Sequence, residues 1–111
     1  MNDGLRMIND MNELSKRLDS GIKDMGKTGR AFAAAEREYK IALMTEALRL
    51  RSEDMPVTLI DKVVYGIVAD KRFERDACEI LWKTAQENVN AIKLQMRILD
   101  SQIAREWGRN E

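Results

Sequence analysis

Apolar residues recur along this chain at alternating steps of three and four, the heptad spacing of a helix that buries one face. In the first half, this pattern runs from about Leu5 to Ser52. Its seam has eleven positions: Ile8, Met11, Ser15, Leu18, Ile22, Met25, Gly29, Phe32, Glu36, Tyr39 and Leu43. Eight of them are apolar, and the exceptions are Ser15, Gly29 and Glu36. The phase is unchanged across Gly26 and Gly29. The pattern therefore predicts one long helix that the two glycines weaken without ending it.

The second half carries a cleaner heptad pattern, from about residue 70 to residue 107. Its eight consecutive seam positions are all apolar: Cys78, Trp82, Ala85, Val89, Ile92, Met96, Leu99 and Ile103. Gly108 favours the end of this helix. Between the two long segments, Pro56 disfavours helical backbone at the residue before it. The first helix is therefore expected to end near Ser52.

A short apolar segment, Leu59 to Val68, follows the proline. Thr58, with Asp61 three residues later, has the form of a capping box and predicts a short helix, although the β-branched residues leave a strand as the alternative. The whole pattern predicts one all-α domain over residues 1–111. Its parts are a helix over about 5–52, a turn and short helix over about 53–69, and a helix over about 70–107. A compact connection folds the long helices into an antiparallel, coiled-coil-like helical hairpin.

Several apolar residues lie outside or beside the two seams: Leu14, Ala34, Ile41, Leu48, Leu81, Leu94 and Ile98. Two helices can shield only about one stripe each, so the hairpin is expected to associate with itself. A dimer that forms a four-helix bundle is the simplest outcome, and a larger assembly is the alternative. The candidate residues for the oligomer seam are Ile8, Met11, Trp82, Val89, Ile92, Met96, Leu99, Ile103 and Trp107.

The inventory of reactive side chains argues against an enzyme. The chain has no histidine, the commonest general base and metal ligand, and its single cysteine, Cys78, cannot form an internal disulfide. The carboxylate pair Asp76 and Glu79 alternates with basic residues, as on a solvated ion-pair face. We expect no catalytic residue, no cofactor and no metal. No apolar run approaches the roughly 20 residues of a membrane span, so we expect a cytoplasmic protein without a membrane partner.

Charge is balanced along the chain, with 19 basic and 19 acidic residues. A protein that grips a nucleic-acid backbone usually shows a basic excess, so nucleic acid is not the favoured partner. The basic residues expected near the turn are nevertheless candidates for an anion or partner contact: Arg49, Arg51, Lys71, Arg72 and Arg75. Two alternatives stay open here. One is a nucleic-acid accessory protein in recombination or replication, and the other is an oligomeric protein that sequesters an anionic small molecule.

The stretch from Glu36 to Trp107 has a recognisable sequence. Residues 36–43 read Glu-Arg-Glu-Tyr-Lys-Ile-Ala-Leu, and residues 50–60 read Leu-Arg-Ser-Glu-Asp-Met-Pro-Val-Thr-Leu-Ile. The stretch ends with Gln-Met-Arg-Ile-Leu-Asp-Ser-Gln-Ile-Ala-Arg-Glu-Trp. It resembles small uncharacterised helical proteins encoded by phages and prophages of Gram-positive bacteria. The resemblance implies an accessory protein that acts in the bacterial cytoplasm by binding a host protein, such as a defence component.

Overall fold

The computed structural model of the protein describes residues 3–109, and every regular element within that range is an α-helix. Helix α1 spans Asp3–Ser52, α2 spans Val57–Ile67 and α3 spans Ala69–Arg109. The prediction of an all-α helical hairpin with a short helix near the turn is confirmed. Helix α1 continues through Gly26 and Gly29, and the segment after the proline is a helix rather than a strand.

Helix α1 ends on a backbone motif. Asp54 adopts a left-handed conformation with φ of 62°. The backbone N–H of Met55 donates to the carbonyl of Leu50 at 3.2 Å, and the N–H of Asp54 donates to the carbonyl of Arg51 at 3.2 Å. These two bonds define a Schellman motif, which satisfies the last carbonyls of a helix. The side chain of Met55 then packs against the core cluster that contains Leu50, so the turn is anchored by an apolar contact.

Helix α2 begins directly after the proline. Pro56 occupies the N-cap position with φ of −54° and ψ of 131°, and no side chain caps the helix. The carbonyl of Pro56 accepts a hydrogen bond from the N–H of Leu59 at 2.9 Å. The prediction that Thr58 caps this helix was wrong. Proline already holds the φ that the helix start requires, and Thr58 therefore lies inside the first turn.

A single residue, Val68, separates α2 from α3. Its φ of −95° and ψ of 16° lie outside the α-helical range. The hydrogen bonds nevertheless continue, because the N–H of Val68 donates to Val64 and the N–H of Arg72 donates to Val68, each at 3.0 Å. The chain therefore reverses between α1 and α2, and it bends again at Val68 into α3.

The described chain divides into two compact units. The first unit contains α1 up to Gly26 and α3 from Lys83 onwards. The second runs from Lys27 to Trp82 and includes α2. The core of the second unit joins α1 to α2 through Tyr39, Leu50, Ile60, Val64 and Val68, with Ala42, Leu43, Ala47 and Met55 packed around them. The expectation of a single domain stays a prediction.

Helices α1 and α3 pack antiparallel in each unit. In the first unit, Gly21 of α1 lies against Val89 and Ile92 of α3. In the second unit, Gly29 lies against Trp82. The heptad seam predicted on α3 is the face that the structure covers. Four of its residues are buried (Ala85, Val89, Ile92 and Leu99), and the other four are half-buried (Cys78, Trp82, Met96 and Ile103).

The seam predicted on α1 is covered only in part in the first unit, where Met11, Leu18 and Met25 are half-buried as predicted. Ile8, Ser15 and Ile22 of the predicted seam are exposed, and the covered positions lie one residue earlier, at Met7, Leu14 and Gly21. A Cβ on Gly21 would lie 3.2 Å from Cγ2 of Val89. The seam takes this glycine because the absence of a side chain lets α1 approach α3 closely, which a position occupied by Ile22 would prevent.

Candidate interaction surface

The second unit leaves one face of α1 apolar and exposed. Ile41, Met44 and Leu48 are 57%, 67% and 59% exposed. Their spacing of three and four places them on a single face, which we call the α1 outer stripe. Tyr39 and Leu50 of the same helix are buried in the core, so α1 is apolar on two sides. A helix of this kind normally packs against partners on both sides, and the hairpin supplies a partner on only one.

Shallow grooves extend this surface towards α2. One groove joins Leu48 to Val57, the exposed first residue of α2, and its lining is Ala47, Leu48, Arg51, Val57, Ile60 and Asp61. A second groove beside Met44 is lined by Lys40, Leu43, Met44, Ala47, Asp61, Val64 and Tyr65. Grooves between rows of helical side chains fit the side chains of another helix. Small-molecule sites, in contrast, are concave and bury most of the ligand.

Arginines lie at both ends of the α1 outer stripe. Arg37 precedes Ile41 by four residues and Arg51 follows Leu48 by three, so both continue the same face. Both side chains are exposed, and within residues 3–109 neither forms an ion pair. The α1 outer stripe therefore has an apolar centre and an arginine at each end, and Asp61 of α2 lines the groove beside Arg51.

The carboxylates of the same segment are occupied by neighbouring bases. Glu36 pairs with Lys40 at 3.7 Å, and Glu46 pairs with Arg49 at 2.8 Å. Glu38 pairs with Lys71 of α3 at 3.4 Å. These pairs are exposed and contribute little stability individually. Their consequence is that no carboxylate of this part of α1 offsets the charge of the two arginines at the ends of the stripe.

Two of the basic residues predicted near the turn are held by glutamates. Arg49 bonds Glu46 at 2.8 Å and Glu53 at 3.1 Å. The hydrogen bond with Glu46 is the main reason that the pKa of Arg49 is raised above its ordinary value. Lys71 bonds Glu38, as described above. The charge of Arg49 is therefore locally balanced by the two glutamates.

Arg72 and Arg75 lie on aromatic rings. The guanidinium of Arg72 stacks 3.4 Å from the ring centroid of Tyr65 and donates to the Tyr65 carbonyl at 2.9 Å. That of Arg75 lies 4.4 Å from the ring centroid of Tyr39 and donates to Asp76 at 2.8 Å. This bond to Asp76 raises the pKa of Arg75. Four of the five predicted anion-site residues thus have partners in the chain. Their binding role stays a prediction.

The residues predicted for an oligomer seam lie mostly inside the chain's own helix packing. Val89, Ile92 and Leu99 are buried, and Met11, Trp82, Met96 and Ile103 are half-buried. Trp82 stacks on Phe32 of α1, with ring centroids 5.6 Å apart. Only Ile8 and Trp107 of that set are exposed. The role of these residues in an oligomer stays a prediction, and Ile8 and Trp107 are the two that a second copy could contact without opening the hairpin.

A second apolar face, on α3, was not singled out from the sequence. Phe73 is 75% exposed and Ile80 is 64% exposed, with the half-buried Ala77 between them. We call these three residues the α3 outer stripe. The signal was present in their spacing of four and three, which repeats beside the longer seam. In the first unit, Leu94 and Ile98 of α3 are also exposed.

Metal-binding clusters, membrane-spanning helices and similarity to known proteins were also considered. Within residues 3–109, no three acidic or cysteine side chains cluster in a way that could hold a metal ion. None of the described helices is both long and apolar enough to cross a membrane. Comparisons with protein-family models, curated proteins and solved structures find no match to this chain.

Proposed function

We propose that this protein is a non-enzymatic helical interaction protein that associates with itself and binds a second protein. One observation carries the proposal: the α1 outer stripe is exposed on a helix whose opposite face is already packed. Of the seven apolar residues that the sequence left outside the seams, six are exposed: Ala34, Ile41, Leu48, Leu81, Leu94 and Ile98.

The energy of covering such residues supports association. Burial stabilises by roughly 25 cal/mol for each Å² of apolar surface. Three large side chains on one face therefore provide a driving force of a few kcal/mol before the cost of association is subtracted. Contiguous apolar patches on protein surfaces commonly mark interaction sites.

Sedimentation equilibrium across the micromolar range tests self-association. We expect the apparent mass to rise with concentration above the 12.8 kDa of one chain. The variant Ile41→Ser/Leu48→Ser should sediment closer to a single chain, because it removes the apolar centre of the stripe. Ile22→Ser, which changes an exposed isoleucine of the first unit, is the matched control and should behave as the wild type. A single-chain mass for the wild type throughout would contradict the proposal.

The resemblance to phage and prophage proteins supports a bacterial host protein as the second partner, including a defence component. The wild type and Ile41→Ser/Leu48→Ser would be used as baits in lysate of a Gram-positive bacterium, and the captured proteins compared by mass spectrometry. We expect at least one host protein to be retained by the wild type and by Ile22→Ser but lost with the stripe variant. Identical captured sets from all three baits would contradict this part of the proposal.

A further inference from the structure

We propose that the α1 outer stripe of one copy binds the α3 outer stripe of a second copy, so that the chain associates head to tail. This inference rests on the proposed self-association and specifies its contact. Both stripes belong to the second unit, and their large side chains (Ile41, Met44, Leu48, Phe73 and Ile80) are exposed there. In this arrangement, the α1 outer stripe of each copy is covered by the α3 outer stripe of the next copy.

The two stripes match in spacing. On α1 the steps from Ile41 to Met44 to Leu48 are three and four, and on α3 the steps from Phe73 to Ala77 to Ile80 are four and three. Antiparallel helices pair residues whose numbers rise on one helix as they fall on the other.

One antiparallel register aligns all three positions. Leu48 lies opposite Phe73 of the next copy, Met44 lies opposite Ala77, and Ile41 lies opposite Ile80. The long Met44 side chain then meets the smallest residue of the facing stripe. Alternation of large and small residues is the arrangement that lets helices interdigitate.

Charge favours this pairing over a symmetric pairing of two α1 outer stripes. The α1 outer stripe ends in Arg37 and Arg51, whereas the α3 outer stripe is accompanied by the exposed carboxylates of Asp70 and Glu74. The same register brings Arg51 opposite Asp70 of the next copy. Pairing α1 with α1 in the antiparallel direction would instead bring Arg37 of one copy near Arg51 of the other. Such like-charge contacts suppress association, whereas opposite charges favour it.

Each stripe lies on the side of its helix that faces away from the packing within the unit. On α1 the opposite side holds buried Tyr39, and on α3 it holds Trp82, which stacks on Phe32. One copy cannot bring its own two stripes together without opening this packing. A head-to-tail contact also leaves one free stripe at each end of a pair. Head-to-tail contacts produce rings when the rotation between successive copies closes, and open helical filaments when it does not.

Complementation between two blocked variants tests the inference. The first variant, Ile41→Ser/Leu48→Ser, lacks the α1 outer stripe, and the second, Phe73→Ser/Ile80→Ser, lacks the α3 outer stripe. All four positions are exposed, so both variants should keep the wild-type helical circular dichroism. Each alone should sediment as a single chain. An equimolar mixture should form a complex of two chains and nothing larger, because each contributes its one intact stripe.

The other outcomes of that experiment contradict the inference in distinguishable ways. A wild type that remains a single chain removes the proposed self-association as well. If the wild type associates and either variant still associates alone, the contact is symmetric or uses other residues. If both variants are single chains and their mixture is too, the two stripes do not bind each other. In these last cases the self-association stands and only the head-to-tail contact fails.

A charge exchange within one chain provides a second measurement. Arg51→Glu and Asp70→Arg should each weaken association about tenfold, because each places like charges across the contact. The double variant Arg51→Glu/Asp70→Arg should recover most of the wild-type affinity, since every head-to-tail contact then pairs the exchanged charges. If the double variant instead loses as much affinity as the two single variants together, Arg51 does not lie opposite Asp70 of the next copy.

Discussion

A Cβ built on Gly29 of α1 would lie 3.1 Å from Nε1 of Trp82 on α3. The indole therefore occupies the space that a side chain at Gly29 would need. Trp82 also stacks on Phe32, three residues further along α1, with an interplanar angle of 25°. Gly29 thus has a packing role, and the helix continues through it.

This contact predicts opposite effects for two glycine substitutions. Gly66 lies in α2 with no atom within 4 Å of a built Cβ, so Gly66→Ala should raise the free energy of unfolding by about 1 kcal/mol through helix propensity alone. Gly29→Ala gains the same propensity, but it displaces the Trp82 indole. We expect a net loss of about 1 kcal/mol, since overpacking costs about 1–3 kcal/mol. Urea denaturation followed by circular dichroism measures both. Equal stabilisation by the two variants would show that the indole moves at no cost.

The turn after α1 predicts that Asp54→Gly stabilises the protein. Asp54 has φ of 62°, a conformation that costs side-chain-bearing residues about 1–2 kcal/mol and glycine almost nothing. Its carboxylate also lies at the unfavourable end of the α1 dipole. We expect a gain of about 1 kcal/mol in the free energy of unfolding. Ser52→Gly, a change inside the last turn of the helix, is the control and should lose stability. A loss with Asp54→Gly would contradict the role assigned to the left-handed residue.

The α3 seam predicts unequal costs for two truncations on the same helix. Ile92 is 2% exposed and packs near Gly21, whereas Leu94 is 52% exposed. Ile92→Ala should lower the free energy of unfolding by about 2–4 kcal/mol through lost burial and a residual cavity. Leu94→Ala should change it by less than about 1 kcal/mol. Thermal and urea unfolding measure the difference. Comparable losses would mean that Leu94 is covered by a partner in solution.

The two tryptophans should report different environments. With Trp107→Phe, the emission comes from Trp82, which is half-buried against Phe32. It should lie at shorter wavelength and resist quenching by iodide. With Trp82→Phe, the exposed Trp107 should emit as a solvated indole and be quenched readily. Spectra recorded at low protein concentration test this assignment. A shielded Trp107 that becomes exposed on dilution would reveal a contact at the end of α3.

Some of the exposed apolar residues could be predicted from the sequence, and others could not. The sequence predicts that Ile41 and Leu48 lie outside the hairpin seam, and both are exposed. It did not single out Phe73 and Ile80, because their short stripe runs beside a longer apolar seam on the same helix. Whether an apolar position faces the core or solvent depends on where the neighbouring helix lies. That information comes from the folded chain.

For the basic residues near the turn, the sequence predicts their position but not the residues with which they pair. Their proximity to the turn follows from the position of Pro56 along the chain. Their pairing does not, since Lys71 meets Glu38 and Arg75 lies over Tyr39 across a helix–helix contact. Arg51 has neither an ion pair nor a ring contact among residues 3–109, whereas each of the other four has one or the other. Electrostatic partners separated by more than 30 residues are decided by the packing of the helices.

The sequence by itself determined the helices, the turn at Pro56 and the seam of α3, because these follow from local backbone preferences and from the period of apolar residues. The tertiary structure alone decided which face of α1 meets that seam. An apolar period fixes the spacing of a contact, but its rotational phase depends on the shape of the opposing helix. Beside Val89 the structure accommodates Gly21 instead of Ile22, because close approach of the two helices leaves no room for a side chain there.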